Sequence, residues 1–248
     1  MSAVELLLRN PEGEVLDYTW TASASSRTDD AVVVIGHGVT ANKDRAWAVA
    51  LAAALAEAGW DPLRFSFSGN GDSEGRFEDS CPSKEVADLG AVLDALPNRP
   101  IVYVGHSMGG AVGVLRAATD ARIRRLVSLA GMVDTADFAR RKFGHQQPGD
   151  LMWDKPECPL SERFLTDMRQ VGSVEPLAAR LAVPWLLVHG TADSVVPPEE
   201  SERLAAQAPD SRTLCLLPDV NHVFSGAGEG PMCAAVVAWL LESGSTVA

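Results

Sequence analysis

The chain has 248 residues and a formal net charge of −12, from 21 basic and 33 acidic side chains. At roughly 100–200 residues per domain, this length fits one large domain or two small ones. Its 46% hydrophobic content excludes a disordered protein, a collagen-like fibre and a disulfide-rich miniprotein. Because an acidic surface repels phosphate backbones and anionic lipid headgroups, we expect no nucleic-acid partner and no membrane partner.

The cysteines and the N-terminus indicate a reducing compartment. Four scattered cysteines form no CxxC pair and have no histidine at metal-ligand spacing, so we expect free thiols and no metal site. The first ten residues, MSAVELLLRN, lack the basic region of a signal peptide. The longest apolar run, Ala46–Ala56, is shorter than the roughly 20 residues that span a bilayer. We therefore expect a cytoplasmic protein.

Short strands alternate with helices along the first half of the chain. A hairpin is predicted from Val4–Leu8 and Leu16–Trp20 around the turn sequence Asn10–Gly13. After it the pattern predicts, in chain order, the strand Ala31–Ile35, a helix carrying the apolar stripe Trp47, Leu51, Leu55 and Ala58, the strand Pro62–Phe67, the helix Glu85–Leu96, the strand Ile101–Val104, a helix from Met108 to about Ala118 and the strand Arg124–Leu129.

The same alternation returns near the C-terminus. It predicts the strand Trp185–His189, the helix Glu199–Ala208, the strand Thr213–Leu217 and the helix Cys233–Glu242. Strands that alternate with helices imply right-handed crossovers and a mainly parallel sheet with helices on both faces. The predicted fold class is α/β, as a single domain over residues 1–248.

One segment, from Gly131 to about Leu181, interrupts the alternation because no strand is predicted in it. A structureless loop of that length is improbable in a compact domain unless it is functional. We predict a helical cap insertion at about residues 132–180 that covers an apolar pocket; packing of the insertion onto the body is the alternative. The candidate pocket residues are Met132, Phe138 and Trp153.

The strongest motif is Gly105–Gly110, with the sequence GHSMGG. It matches G-x-S-x-G and stands between a predicted strand and a predicted helix, the context of a nucleophile elbow. Ser107 must then adopt a strained backbone conformation, which Gly105 and Gly109 permit by letting strand and helix approach closely. The elbow places the Ser107 hydroxyl at a helix N-terminus, where an oxyanion is favoured.

A serine hydroxyl is a poor nucleophile near neutral pH and needs an adjacent base. The chain offers five histidines, His37, His106, His145, His189 and His222. The elbow fold requires the chain order serine, acid, histidine. The first two precede or flank the serine, the third lies in the insertion and the fourth ends a strand. His222, downstream of the last strand, is therefore the predicted base.

The acid must orient the imidazole and offset its positive charge. Asp193 follows the strand Trp185–His189 and so lies at the same carboxyl edge of the sheet. Asp210 precedes the next strand, which places it at the opposite edge, and Asp219 is close enough to His222 to be a turn-former. We predict Asp193. The backbone N–H groups of Val39, in the loop after the first parallel strand, and of Met108 are the predicted oxyanion-hole donors.

Three segments together resemble the α/β-hydrolase superfamily, and within it small bacterial carboxylesterases of the feruloyl/cinnamoyl-esterase type. They are Gly36–Lys43, Phe67–Gly75 and the elbow Gly105–Gly110, and the resemblance spans nearly the whole chain. Related hydrolases usually carry Asp-x-Arg-Gly-His-Gly-x-Ser in the middle loop, where this chain has Ser66–Ser73. The resemblance implies that the insertion is a cap that shapes the substrate pocket.

These features predict a cofactor-free serine hydrolase that cleaves carboxylic esters through Ser107, His222 and Asp193, with a small-molecule ester as its partner. The same triad could instead serve a thioester, a peptide or perhydrolysis. A catalytically silent member that binds a ligand is a further alternative. Pocket shape, and with it the acyl and alcohol preference, depends on how the insertion folds, and the sequence does not indicate the oligomeric state.

Overall fold

The computed structural model describes residues 6–23, 31–208 and 210–244. Strands β1–β7 in these ranges are Tyr18–Trp20, Val32–Gly36, Asp61–Phe65, Ile101–His106, Ile123–Leu129, Trp185–Gly190 and Arg212–Leu217. Helices α1–α8 are Ala46–Glu57, Pro82–Asp94, Met108–Ala117, Thr135–Phe143, Glu162–Val171, Glu175–Ala178, Pro198–Gln207 and Glu229–Gly244.

The strands form one sheet in the order β1-β3-β2-β4-β5-β6-β7. Strand β1 pairs antiparallel with β3, and every other neighbouring pair is parallel. This mainly parallel, seven-stranded sheet with flanking helices confirms the predicted fold class. Because β2 to β7 run in one direction, the loops that follow them all leave from the same sheet edge.

Alternation within β2 shows why the sheet is covered on both faces. Val32 and Val34 pack into one apolar cluster, while Val33 and Ile35 pack into a second. Successive side chains of a strand point to opposite faces. Helices α1 and α8 contribute to the second cluster, and α2, α3 and α7 contribute to the first. The almost purely β-branched sequence of β2 follows from burial on both sides.

The N-terminal hairpin is shorter than predicted. Arg9 and Val15 form an isolated antiparallel bridge around the turn, and Leu16 N–H donates to the Leu8 carbonyl at 2.8 Å. The strand β1 pairs with β3, beyond the hairpin. Val4 and Glu5 lie outside the described residues. Helix α2 begins at Pro82, three residues before the predicted start at Glu85, because proline fits the first turn of a helix.

The insertion folds as helices α4 to α6 and a short 3₁₀ turn at Met152–Asp154. Most of its buried apolar side chains form a third cluster, which Met108 at the start of α3 joins, whereas Val133, Val174 and Ala178 pack into the first cluster. Trp153 and Asp154 have φ of 49° and 58° in the left-handed region. A bulky residue rarely adopts that conformation, so the turn holds Trp153 at a cost in backbone strain.

The lengths of the helices and the state of the cysteines bear on two of the sequence-based expectations. The described helices include none that is long and apolar enough to cross a membrane. Cys81, Cys158, Cys215 and Cys233 are free thiols, as predicted, and all except Cys215 are buried.

Candidate active site

Ser107 lies directly after β4 and caps the N-terminus of α3, with φ 54° and ψ −120°. A non-glycine residue in this region is strained, as the elbow motif predicts. Three backbone hydrogen bonds fix the residue: its N–H donates to the Leu129 carbonyl at 3.0 Å, and its carbonyl accepts from Gly110 and Met132 at 2.9 Å each. Only 3% of Ser107 is exposed, so the turn presents a nearly buried hydroxyl.

Close packing around the elbow explains its glycines. A Cβ on Gly105 would lie 2.2 Å from the Gly109 carbonyl oxygen, and a Cβ on Gly109 would lie 2.4 Å from the His37 carbonyl oxygen. Both distances are far below van der Waals contact, so neither position can hold a side chain without backbone movement. Strand β4, helix α3 and the loop after β2 therefore meet at backbone contact distance.

Asp193 and His222 follow β6 and β7, and the structure brings them together at the same sheet edge. His222 Nδ1 lies 2.7 Å from Asp193 Oδ2. Because a carboxylate only accepts, Nδ1 carries the proton and Nε2 presents a lone pair. The Asp193 carboxylate is fully buried, whereas 12% of the His222 side chain is exposed. The imidazole is thus oriented by a buried anion and reaches the surface of a cavity.

Hydrogen bonds saturate the Asp193 carboxylate. Its Oδ1 accepts from the N–H groups of Val195 at 2.7 Å and Val196 at 3.0 Å. Its Oδ2 accepts from His189 Nε2 at 3.1 Å in addition to His222. Burial alone would raise the pKa of Asp193, but the hydrogen bonds from His189 and His222 outweigh burial and lower it. Asp193 therefore stays ionised across the physiological pH range.

His106, next to the serine, contacts the opposite side of His222. Its Nε2 lies 2.9 Å from the His222 backbone carbonyl, to which it must donate, and the two rings are 4.7 Å apart between centroids. Burial, followed by the charge of His222, lowers the pKa of His106 to about 3. His106 is therefore a neutral donor that fixes the backbone of the His222 loop.

The loop after β2 packs against Ser107. A Cβ on Gly38 would lie 2.7 Å from Ser107 Cβ. His37 holds this loop from within the core, because its Nδ1 donates to the Gly38 carbonyl at 2.8 Å and its Nε2 accepts from Phe67 N–H at 3.0 Å. Burial lowers the pKa of His37 to about 4, which keeps the ring neutral in these roles.

The predicted oxyanion donors are close to Ser107 along the chain or through the neighbouring loop. Val39 follows Gly38, and Met108 is the first residue of α3, where an N–H has no acceptor within the helix. Among the hydrogen bonds between described residues, none uses the N–H of Val39 or of Met108. Both amides are thus unengaged within the described structure, beside a serine that sits at a helix N-terminus.

A cavity of about 220 Å³ opens beside these groups, and Ser107, His222 and Val39 line it. Two of the predicted pocket residues, Phe138 and Trp153, also line it. Met132 does not: it is 1% exposed and packs within the third apolar cluster. The Met132 N–H donates to the Ser107 carbonyl at 2.9 Å, so the backbone of Met132 lies beside the serine while its side chain packs in that cluster.

Ser107 and His222 both line this cavity without a direct bond between them. Among the hydrogen bonds between described residues, none joins Ser107 Oγ to His222 Nε2. Catalytic hydrogen bonds of this kind are often long in unliganded enzymes and shorten when substrate binds. The arrangement supplies an oriented imidazole with a free lone pair on the same cavity wall as a strained serine.

Several residues of the site are not among those predicted from the sequence. The chain-order rule selects the histidine that acts as base and therefore excludes His189 and His106. It gives no information about residues that support the base through hydrogen bonds. Arg45 and Lys155 also line the cavity. Lys155 Nζ donates to the Thr40 carbonyl at 2.8 Å, a contact that links the insertion to the loop after β2 across 115 positions. The position of Lys155 two residues after Trp153, a predicted pocket residue, is the one sequence feature that could have indicated its place in the site.

Two family models match this chain, one over its first half and one over its second half. Residues 31–157, which include the serine elbow, match the alpha/beta hydrolase fold family. The chain belongs to the α/β hydrolase fold family. A second family model, described as serine aminopeptidase, S33, matches residues 159–226, a stretch that contains Asp193 and His222.

Two curated relatives of this α/β hydrolase illustrate the range of the family. The uncharacterized protein YfhR of Salmonella typhimurium is 29% identical over 238 residues, which cover 87% of this chain and 73% of YfhR. The human mitochondrial palmitoyl-protein thioesterase ABHD10 is 32% identical over 158 residues, which cover 58% of this chain and 50% of ABHD10.

Among solved structures, the α/β hydrolase is similar to Est1E from Butyrivibrio proteoclasticus with bound ferulic acid. The two chains share 25% sequence identity and superpose with a TM-score of 0.83, covering 93% of this chain and 96% of Est1E. The fold is thus related to those of esterases and thioesterases, and the Est1E likeness agrees with the subfamily that the sequence resembles.

Proposed function

We propose that this α/β hydrolase is a serine esterase that hydrolyses carboxylic esters of small molecules. The observation that carries the proposal is the 2.7 Å contact from His222 Nδ1 to Asp193, which leaves Nε2 free at the cavity that Ser107 lines. We assign Ser107 as nucleophile, His222 as base and Asp193 as the group that orients and stabilises the imidazolium.

In the proposed reaction Ser107 Oγ attacks the acyl carbon while its proton moves to His222 Nε2. The N–H groups of Val39 and Met108 donate to the developing oxyanion. His222 then protonates the leaving alcohol, which yields an acyl-enzyme and a neutral imidazole. His222 next takes a proton from water as the hydroxide attacks the acyl carbon, and the acid leaves as Ser107 regains its proton.

Substrate class is proposed from the cavity and the comparisons. The aromatic side chains of Phe138 and Trp153, contributed by a cap at about residues 132–180, suit an apolar or aromatic acyl group. Est1E was solved with ferulic acid, which supports an ester of an aromatic acid. The identity to the thioesterase ABHD10 favours one second candidate, a thioester with the same triad.

Replacement of the serine tests the proposal. We expect Ser107→Ala to abolish hydrolysis of 4-nitrophenyl butyrate and labelling by a fluorophosphonate probe. The matched control is Ser211→Ala, a serine just before β7 whose hydroxyl contacts the Ala208 carbonyl at 3.4 Å. Most of the turnover surviving in Ser107→Ala would contradict the proposal, and an unlabelled wild-type chain would indicate a silent ligand-binding protein. Rates on matched oxygen esters and thioesters separate the two candidate substrates.

A further inference from the structure

The charge of the cavity is opposite to that of the chain. Acidic side chains outnumber basic ones by 33 to 21 in the whole sequence. Among the described residues that line the cavity beside Ser107, none is acidic and two, Arg45 and Lys155, are basic. The carboxylate of Asp193, which contacts His222, is fully buried and does not line the cavity. A positively charged cavity wall in an acidic protein favours a ligand with a negative charge.

Lys155 is held in place by neutral groups. Its Nζ donates to the Thr40 carbonyl at 2.8 Å and lies 3.4 Å from Thr40 Oγ1. No ion pair of Lys155 is found within the part of the chain that the structure describes. An ammonium group has three donors, so at least one remains after both Thr40 contacts. Lys155 therefore presents a fixed positive charge that no carboxylate of the described structure neutralises.

Arg45 immediately precedes α1 and also has no ion pair among the described residues. The neighbouring carboxylate, Asp44, is engaged by Lys43 at 2.7 Å and by Arg64 at 2.8 Å. Arg45 borders a second hollow as well, where it meets Asp44 and Glu229. Its charge reaches the site, because it adds to the stronger effect of burial in lowering the pKa of His106.

Much of the wall of this cavity is apolar. Trp47, Phe138 and Trp153 line the same cavity as Arg45 and Lys155. Apolar walls lower the local dielectric constant, and a charge-assisted hydrogen bond is stronger there than at an open surface. The cavity therefore combines an apolar body with two cationic donors, the pattern that fits a ligand with a hydrocarbon part and one negative group.

From this arrangement we infer that the ester hydrolysed at Ser107 carries a carboxylate, which Lys155 and Arg45 bind. The inference rests on the proposed esterase function and deepens it, because it names the substrate class as anionic esters such as half-esters of dicarboxylic acids. Lys155 and Arg45 are specificity-determining residues in this scheme and take no part in the proton transfers.

A pair of esters that differ by one charge tests the inference. 4-Nitrophenyl hydrogen glutarate and 4-nitrophenyl pentanoate share the leaving group and the five-carbon acyl chain, and the first has a terminal carboxylate. We expect the wild-type chain to favour the glutarate half-ester in kcat/KM. The double variant Lys155→Met/Arg45→Met should lower the ratio of the two kcat/KM values about tenfold or more, and 0.5 M salt should lower it in the wild type.

Lys142→Met is the matched control. Lys142 belongs to the same insertion, and its Nζ donates to a loop carbonyl, that of Ser194, at 2.7 Å. It does not line the cavity, so its replacement should leave the ratio unchanged. A ratio that the double variant leaves at the wild-type value overturns the inference. Equal losses on both esters overturn it too, because they would mean that Lys155 only positions the Thr40 loop.

A binding measurement separates this inference from the proposed function. Calorimetry on Ser107→Ala compares monomethyl glutarate with methyl pentanoate, neither of which that variant is expected to turn over. Tighter binding of the anionic ester that is lost in Ser107→Ala/Lys155→Met/Arg45→Met shows that the two cations bind the carboxylate. If the wild-type chain then hydrolyses no ester, the esterase proposal fails while the carboxylate site stands. Equal binding of the two esters, beside normal hydrolysis by the wild type, overturns the inference and leaves the esterase proposal intact.

Discussion

His189 donates to Oδ2 of Asp193, the same oxygen that accepts from His222. Its proton must be on Nε2, since both neighbours of that atom, Asp193 Oδ2 and the Val196 carbonyl, at 3.1 Å each, only accept. Nδ1 therefore accepts from the Ser201 hydroxyl at 2.7 Å. This chain of contacts runs from Ser201 in α7 through His189 in β6 to the carboxylate of Asp193, and it fixes that carboxylate independently of His222.

His189→Ala should lower kcat on a neutral ester by roughly ten- to a hundredfold, because small displacements of a catalytic group cost that much. We also expect the acid limb of the kcat/KM profile to move to higher pH, since an Asp193 with one donor fewer holds the imidazolium more strongly. A loss of fold alone would not move the profile. His189→Gln, which keeps a donor, should recover part of the rate, and Ser201→Ala should act weakly in the same direction. Wild-type kinetics in His189→Ala would refute the positioning role.

Gly109→Ala should destabilise the protein by more than about 3 kcal/mol, in line with severe overpacking. The added Cβ would stand 2.4 Å from the His37 carbonyl oxygen, a backbone atom that cannot turn aside. Gly230→Ala is the control, since nothing lies within 4 Å of a Cβ at that position in α8. It should be neutral or stabilise by up to about 1 kcal/mol. Denaturant unfolding measures both, and equal stabilities would contradict the packing argument.

Glu85→Gln should stabilise the protein increasingly as pH rises. Burial, followed by the negative charge of Asp88, raises the pKa of Glu85 well above its usual 4.5. Between pH 4.5 and the pKa of Glu85 in the folded protein, the folded state binds more protons than the unfolded state. The free energy of unfolding of the wild type therefore falls as pH rises through this range. Glutamine does not titrate and keeps an acceptor for the Ser80 hydroxyl, which bonds to Glu85 at 3.1 Å.

The difference in unfolding free energy between Glu85→Gln and wild type should grow by more than about 1 kcal/mol from pH 4.5 to pH 8, since one pKa unit corresponds to about 1.4 kcal/mol. Urea titrations at several pH values measure it. Glu57→Gln at the exposed end of α1 controls for the removal of one negative charge. A constant or shrinking difference would show that Glu85 is ionised in the fold without penalty.

Trp153→Ala should raise KM for an aromatic ester while changing kcat little, because the ring lines the cavity at a distance from the proton transfers. Its ring is 42% exposed and packs edge-on against Phe143, with centroids 4.9 Å apart. Phe143→Ala is the contrasting variant: this side chain is 1% exposed, and its loss should cost about 3–5 kcal/mol of stability. An unchanged KM in Trp153→Ala would mean that the insertion packs on the body without shaping the substrate site.

Local sequence patterns sufficed for most of the sheet. The β-branched segment at Val32–Ile35 and the G-x-S-x-G motif after β4 express constraints that act within a few residues: burial on both faces, and a turn that tolerates no Cβ. The hairpin was predicted too long because alternation indicates a strand without indicating its partner. Tyr18–Trp20 pairs with β3, more than 40 positions along the chain.

Residues that act through long-range contacts could not be predicted in this way. Chain order identifies Ser107, Asp193 and His222 because the fold fixes which loop follows which strand. The role of Lys155 depends on how the insertion folds back onto Thr40, which no periodicity encodes. Met132 illustrates the same limit: its hydrophobicity suits a pocket wall as well as a core, and only the folded structure shows that its side chain packs in the third cluster.

The separate apolar cluster of the insertion has an evolutionary consequence. Because the buried apolar side chains between residues 138 and 168 pack in the third cluster, substitutions there can reshape the cavity while the two clusters that flank the sheet stay intact. Substitutions in this cluster can therefore change the ligand preference without unfolding the protein. Directed-evolution libraries confined to residues 138–168 should yield folded chains with an altered ligand preference more often than libraries spread over the sheet and its flanking helices.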